Sequence, residues 1–324
     1  MDLADVLLKL LTVTHPAPFL MALLFSIYLP FCAAAVKPTV EPSAAQTRMA
    51  EFWREPTNLA SVDVYSGPWG DKYAPDPKAV YKFVRTKTHG NSPGLTVSGP
   101  HDVEWSVKQG PESHVEVTLS RVLSAAGYRQ PPVYFLESMA LDHGDWVERA
   151  TGGRFRPKVK GLKDAGIWSW QQNPFVGTKP YQGLLVILMM FDSTDVKNTN
   201  NSLYESKEPI DGVMRWFVVR DIGAGLGETG RLAPKIAAPD LFERNKFITG
   251  VKNGFVAFDY HGWHQELVRD RITTGDVRWA ANLLGGLSDS QWDAAFRAGG
   301  FDPQIANRYI RRLKEKIRDG RQLD

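Results

Sequence analysis

Apolar and polar positions alternate strictly from residue 103 to 108: Val103, Trp105 and Val107 on one side, Glu104, Ser106 and Lys108 on the other. A period of two predicts a half-buried strand whose Lys108 points away from the apolar face. Residues 80–86 and 95–98 read as strands ahead of it, divided by the turn clusters His89 to Gly94 and Gly99 to Asp102. Three strands in succession predict an antiparallel meander. The period then changes, because Val115, Leu119, Val122 and Ala126 fall at steps of four, three and four and form one helical stripe. Pro111 opens this helix, where a missing amide proton costs nothing, and Gly127 closes it in a left-handed conformation. Glu112 and Glu116 share one face of it. Residues 131–136 predict a fourth strand.

Farther along, residues 142–178 carry glycines, basic residues, Trp168 and Trp170 with little periodicity, and are expected to be irregular. Residues 180–191 predict a buried helix, since the run from Leu184 to Phe191 is unbroken and apolar. Residues 215–220 predict a strand ending just before Asp221. Beyond Gly230 the chain is expected to be mainly helical, with clear helices at 273–284, 288–298 and 303–317, the second capped by Ser288.

The N-terminus adds a different pattern. Residues 17–36 carry no charge, and Ala33, Ala34 and Ala35 precede Lys37. This predicts a cleaved signal peptide within residues 1–36, or an uncleaved membrane anchor; Pro18 and Pro30 weaken a uniform spanning helix, and Asp2 and Asp5 outnumber Lys9. An exported protein, periplasmic or secreted, is the expectation, with a membrane-anchored one as the alternative. Residues 37–79 read as a linker followed by an irregular extension rich in Gly, Pro, Trp and Tyr. The single cysteine, Cys32, lies in the apolar segment, so the body of the protein has no disulfide and no cysteine metal site.

Over 324 residues, 43% are apolar and 23% charged, which describes an ordinary globular protein with a sizeable core. The net charge of +3 gives no reason to expect a nucleic acid as partner.

Candidate chemistry begins with the stretch Asp195 to Asn200 (DVKNTN), followed by Asp221-Ile222-Gly223 after a strand. Phosphoryl transfer uses a carboxylate near the attacking hydroxyl, then an Asn and a further Asp to hold magnesium. On these residues the chain resembles an atypical member of the protein-kinase-like superfamily over roughly residues 80–324. The spacing from Asp195 to Asn200 is similar to the second half of that family's catalytic loop, and Asp221-Ile222-Gly223 to its Asp-Phe-Gly triplet. The resemblance implies Asp195 as the acceptor of the hydroxyl proton, Lys197 as a contact to the transferred phosphoryl, and Asn200 and Asp221 as magnesium ligands. It further implies Lys108 as the lysine that holds ATP phosphates and Glu116, or else Glu112, as its ion-pair partner. Ser92 and Gly94 stand where a phosphate-covering turn would be, without a G-x-G-x-x-G pattern. Lys108 and Glu116 are only eight residues apart, a shortened link found in HipA-like and lipid-kinase-like branches.

The departures are equally specific. Ser193-Thr194 stands in place of His-Arg before the aspartate, a polar insert at 204–212 lengthens the gap from Asn200 to Asp221 to 21 residues, and no Ala-Pro-Glu follows. The implied fold is α+β and two-lobed: a small antiparallel-sheet lobe at 80–137 and a mainly helical large lobe at 138–324. The implied activity is ATP- and magnesium-dependent transfer of phosphate to a hydroxyl of a protein, glycan or small molecule. The alternative is an exported pseudokinase-like binding protein. His143 with Asp142 and Asp145, and His261 with His264, lack a third ligand for zinc. Trp168 and Trp170 are expected in packing, with a sugar platform as the other use.

Overall fold

Val107 and Phe155 sit opposite each other on neighbouring strands of the first sheet. In the computed structural model, residues 48–88, 92–227 and 237–324 are described. The apolar N-terminal segment, most of the linker, and His89, Gly90 and Asn91 of the first turn lie outside the described residues. Among those described, no helix is long and apolar enough to cross a membrane.

Strands β1 (Val80–Thr86), β2 (Gly94–Ser98), β3 (Glu104–Lys108), β4 (Tyr134–Asp142) and β5 (Val147–Pro157) form a closed barrel in the order β1-β2-β3-β5-β4. The first three are the expected antiparallel meander, and β1 closes the barrel by pairing in parallel with β4. Inward-facing Tyr81, Val97, Trp105, Val107, Met139, Leu141 and Phe155 fill it. This is the period-two rule at work: one face of each strand buries its apolar residues and the other is left for polar ones.

Helix α1 (Glu112–Ala125) follows β3 and packs on β4 and β5. It is buried nearly all round, because helix α5 (Asp289–Ala298) covers it as well. The second core is helical. Helix α2 (Lys179–Met190) is apolar on every side and central to it. Around it stand α4 (Thr274–Leu284) and α6 (Pro303–Arg321), and α3 (Pro239–Arg244) packs on α6. Capping boxes start α4 (Thr273 with Asp276) and α5 (Ser288 with Gln291), satisfying amide protons that have no intrahelical partner. Phe52, from the N-terminal extension, stacks on Phe175 at 4.7 Å and meets Tyr128 and Trp168 edge-on, so this aromatic approach is part of the core.

Several expectations are corrected. Residues 142–178 are not irregular throughout: they hold β5 and β6 (Leu162–Gly166). The glycine pair Gly152-Gly153 hides the alternation of β5, yet both positions require glycine. A Cβ on Gly152 would lie 1.8 Å from the Leu136 carbonyl oxygen, and one on Gly153, at φ +148°, would lie 2.1 Å from that of Lys108. The expected polar insert at 204–212 is instead the hairpin of β7 (Asn201–Ile210) and β8 (Val213–Val219), which together with β6 makes a three-stranded sheet. Asp211 and Gly212 both have positive φ, the geometry of a two-residue hairpin turn. Asn253 and Gly254 make the same turn between β9 (Ile248–Lys252) and β10 (Phe255–Phe258), in a region expected to be mainly helical. A boundary at residue 137 falls inside β4, and β5 belongs to the same barrel. The architecture is mixed α+β.

Candidate active site

Lys108 is the last residue of β3, on the face away from the barrel core, and it is 3% exposed. Its Nζ contacts Glu112 Oε2 at 2.7 Å, Glu116 Oε2 at 3.4 Å and Asp221 Oδ1 at 2.5 Å. The short link to α1 is set locally. Gly110 takes φ +92° to reverse the chain, and the Ser113 hydroxyl donates to the Lys108 carbonyl at 2.6 Å. Eight residues therefore suffice to bring Glu116 back to the lysine, and one turn earlier Glu112 reaches it as well.

The other side of Glu116 is held by β5. Its Oε1 lies 2.9 Å from Arg154 Nε and 2.6 Å from Arg156. Arg154 pairs with Lys108, and Arg156 with Ser106, in the β3–β5 register. With Phe155 turned into the barrel, both arginines must emerge on the α1 side. Sequence reasoning missed them; the signal was Arg-Phe-Arg, a charged-apolar-charged triplet of period two.

Three cations and three carboxylates thus meet, all largely buried except Asp221, whose side chain is 47% exposed. Burial alone would lower the pKa of Lys108, but Glu116, Asp221 and Glu112 outweigh it and hold it above the ordinary lysine value. Burial alone would raise that of Asp221; Lys108, Arg156 and Arg154 instead hold it well below the carboxylate range. Glu116 is likewise lowered, against its burial, by Arg154, Lys108 and Arg156. Burial and neighbouring Arg156 bring Arg154 down to about 10. Asp221 has φ +58°, a left-handed conformation uncommon outside glycine and a feature of functional sites.

Opposite this network is the polar stretch after α2. Asn200 Nδ2 donates to the Asp195 carbonyl at 2.7 Å and to its Oδ2 at 3.0 Å, while Asp195 Oδ1 pairs with Lys197 at 2.6 Å. Lys197 Nζ lies 4.8 Å above the Trp263 ring. The Arg220 amide donates to the Asn200 carbonyl at 2.9 Å, which ties this stretch to the end of β8 and so to Asp221. Asp195, Lys197, Asn200 and Asp221 line one narrow cleft, together with Ser193.

The missing His-Arg does not leave Asp195 unsupported. The Thr194 amide donates to Ala224 O, and the Thr194 carbonyl accepts from the Trp263 amide at 2.9 Å and the Tyr260 hydroxyl at 3.4 Å. Gly262 makes this possible, since a Cβ there would lie 2.2 Å from the Thr194 oxygen. The His261-Gly262-Trp263-His264 segment is thus a brace for the loop; the signal was glycine between two aromatic residues.

Ser92 reaches the network through its hydroxyl, which donates to Glu112 at 2.9 Å, and Gly94 pairs directly with Lys108 in β2–β3. The structure therefore brings together Lys108, Glu116, Ser92, Gly94 and Asp221 on one side, and Asp195, Lys197 and Asn200 on the other. Trp168 and Trp170 are buried, as expected for packing.

The oxygen donors suit magnesium. Among the described residues, no group of three His, Cys, Asp or Glu side chains is placed to hold a metal alone. Magnesium ordinarily takes one or two carboxylates and completes its shell with water and substrate phosphate, so Asp221 and Asn200 fit an ion that arrives with a nucleotide. The hydroxyl of Ser193, a residue of the cleft wall, is buried and has no hydrogen-bond partner among the described residues.

No family model and no curated protein matches the chain. Among solved structures it is similar to the proinflammatory kinase CtkA of Helicobacter pylori, at 9% identity and a TM-score of 0.32, covering 75% of this chain and 98% of that one. The likeness is weak.

Proposed function

We propose that this chain is an atypical kinase that uses ATP and magnesium to phosphorylate a hydroxyl acceptor. The observation that carries this reading is one network joining buried Lys108 and Glu116 to half-exposed Asp221, beside the cleft that Asp195, Lys197 and Asn200 line. On this reading the fold is two-lobed: the barrel with α1 is the small lobe, and the helical core with the β6-β7-β8 sheet is the large one. Lys108, fixed by Glu116, holds phosphate oxygens, and Ser92 and Gly94 border that position. Asp221 and Asn200 hold the ion. ATP with magnesium supplies the electrophilic phosphorus and neutralises charge on its leaving group. Asp195 accepts the proton as the acceptor oxygen bonds to phosphorus and the bond to the leaving diphosphate breaks; the proton then passes to water. Lys197 neutralises charge on the transferred group. The uncharged apolar stretch at residues 17–36 supports an exported or membrane-attached setting for this activity.

A second reading is a nucleotide-binding protein of the same fold without catalysis. The direct Lys108–Asp221 pair at 2.5 Å favours it, because that pair occupies groups that phosphate and magnesium would need.

Thermal unfolding of the full chain with and without magnesium-ATP tests both. At a hundred times the dissociation constant, stabilisation of about 2.7 kcal/mol is expected in wild type and none in Asp221→Ala. Labelled phosphate should reach an acceptor with wild type and fall roughly 100-fold or more with Asp195→Asn. Stabilisation without transfer identifies the binding protein; no stabilisation in wild type defeats both readings.

A further inference from the structure

Trp263 is half-exposed, at 50%, and belongs to none of the three apolar cores among the described residues. Its backbone does the bracing of the Asp195 loop: the amide donates to the Thr194 carbonyl at 2.9 Å, and the carbonyl accepts from the Tyr260 hydroxyl at 2.6 Å. Every residue except proline carries both of those groups. The brace therefore gives no reason for an indole at this position. What the indole meets is Lys197, whose Nζ lies 4.8 Å from the ring centre.

The Lys197 ammonium thus has two partners of different kinds, the ring and Asp195 Oδ1 at 2.6 Å. The other oxygen of Asp195, Oδ2, accepts from Asn200 Nδ2 at 3.0 Å, so both carboxylate oxygens are engaged. To take a proton from an acceptor hydroxyl, Oδ1 has to be given up by the lysine. An ammonium that lost this partner and had no other would be held only by its flexible four-carbon stem. The π face of a tryptophan attracts a cation within about 6 Å, yet it carries no net charge. It can hold the ammonium without cancelling the charge that a phosphoryl group would meet, and without competing for the acceptor's proton. A carboxylate in its place would do both. Lysine has three N–H donors, so a contact with the ring leaves others for phosphoryl oxygens. The side chains of Lys197 and Asp195 are 32% and 25% exposed, which leaves the pair open to a ligand and puts the ring contact toward the weaker end of its range.

We propose that Trp263 is a positioning residue: its indole holds the Lys197 ammonium, still fully charged, beside Asp195 when that carboxylate turns to the acceptor hydroxyl. The proposal rests on the phosphotransfer reading above and adds a residue that acts on the reaction through Lys197.

The test uses the full chain and two readouts. In the first, lysine is labelled with carbon-13 at Cε, and the Lys197 signal is identified by its loss in Lys197→Arg. It is expected to be shifted upfield by the ring in wild type and in Trp263→Phe, and unshifted in Trp263→Leu. In the second, calorimetry compares affinity for magnesium-ADP with aluminium fluoride, which mimics the transferred phosphoryl, against magnesium-ADP alone. Such mimics of the transition state bind more tightly than ground-state ligands. Lys197→Met marks complete loss of the lysine's share of that preference. Trp263→Leu should lose roughly fivefold of the preference and Trp263→Phe much less, with affinity for magnesium-ADP itself unchanged in both.

The proposal is overturned if the Lys197 signal ignores Trp263→Leu, or if Trp263→Phe loses as much preference as Trp263→Leu. Loss of magnesium-ADP binding itself in Trp263→Leu assigns the residue to the brace alone and also overturns it. A preference present in wild type and unchanged in Trp263→Leu refutes the positioning role and leaves the phosphotransfer reading standing. Absence of magnesium-ADP binding, or of any preference, in wild type refutes that reading, and with it the role given to Trp263.

Discussion

Lys108 and Lys316 are both almost fully buried, 3% and 1% exposed, yet their surroundings drive them in opposite directions. Lys108 faces three carboxylates and stays charged. Lys316, on α6, has no carboxylate within ion-pair distance among the described residues. Its Nζ donates to the Met190 carbonyl at the end of α2 and lies 3.8 Å from the centre of the Phe242 ring. Burial lowers its pKa to about 7, with distant Asp192 opposing only in part. Burial as such therefore does not decide a lysine's charge; what shares the buried space does. The first arrangement keeps a buried cation charged by ringing it with carboxylates. The second is a helix-end cap that tolerates losing its proton.

The strongest way to break this comparison is Glu116→Ala. It leaves Lys108, Arg154 and Arg156 buried with one carboxylate fewer, and should cost about 3–5 kcal/mol in urea unfolding. Replacement of Lys108 and Glu116 singly and together should show coupling of roughly 1–3 kcal/mol, the range for residues in one network. Additivity there would mean the contacts do not act as a unit.

Next in size are the pH effects. Folded Glu116 and Asp221 lie below their unfolded values of about 4, so their contribution is present above about pH 5 and is lost as pH falls through those lower folded values. Unfolding midpoints of wild type and Glu116→Gln should therefore converge in acid. Lys108 behaves oppositely: its contribution is present below the unfolded lysine value and is lost as pH rises through its raised folded value.

Lys316 is lowered, so the unfolded chain binds its proton more tightly and stability should rise between pH 7 and roughly 10. In Lys316→Met that rise disappears, and stability at pH 6 equals or exceeds wild type. A Lys316→Met protein that unfolds more easily at pH 6 would show the Met190 contact to outweigh desolvation.

The smallest effect belongs to a third charged group. Arg308 on α6 meets Asp240 and Glu243 of α3 at the surface, where water and salt screen it. Despite its close contacts, Arg308→Ala should leave the unfolding midpoint nearly unchanged.

Much of this was legible along the chain because it is local. The alternation at Val103 to Lys108, the helical stripe from Val115 and the spacing of Asp195 and Asn200 are each written within about fifteen residues. The hairpins at Asp211-Gly212 and Asn253-Gly254 were equally local, and their turn residues outweigh the surrounding composition. Strand β5 was harder, because Gly152 and Gly153 answer to the backbones of Leu136 and Lys108, which only packing brings near.

By itself, then, the sequence determined the period of the first three strands, of the helices at 112–125 and 179–190 and of the three C-terminal helices, together with the candidate chemical groups, since side-chain periodicity needs only near neighbours. The tertiary structure alone decided that Lys108 meets Asp221 across 113 residues, that Arg154 and Arg156 share Glu116, and that Tyr260 and Trp263 brace the Asp195 loop. Those pairings depend on how a closed barrel and a helical core settle their buried faces, and no local period encodes that.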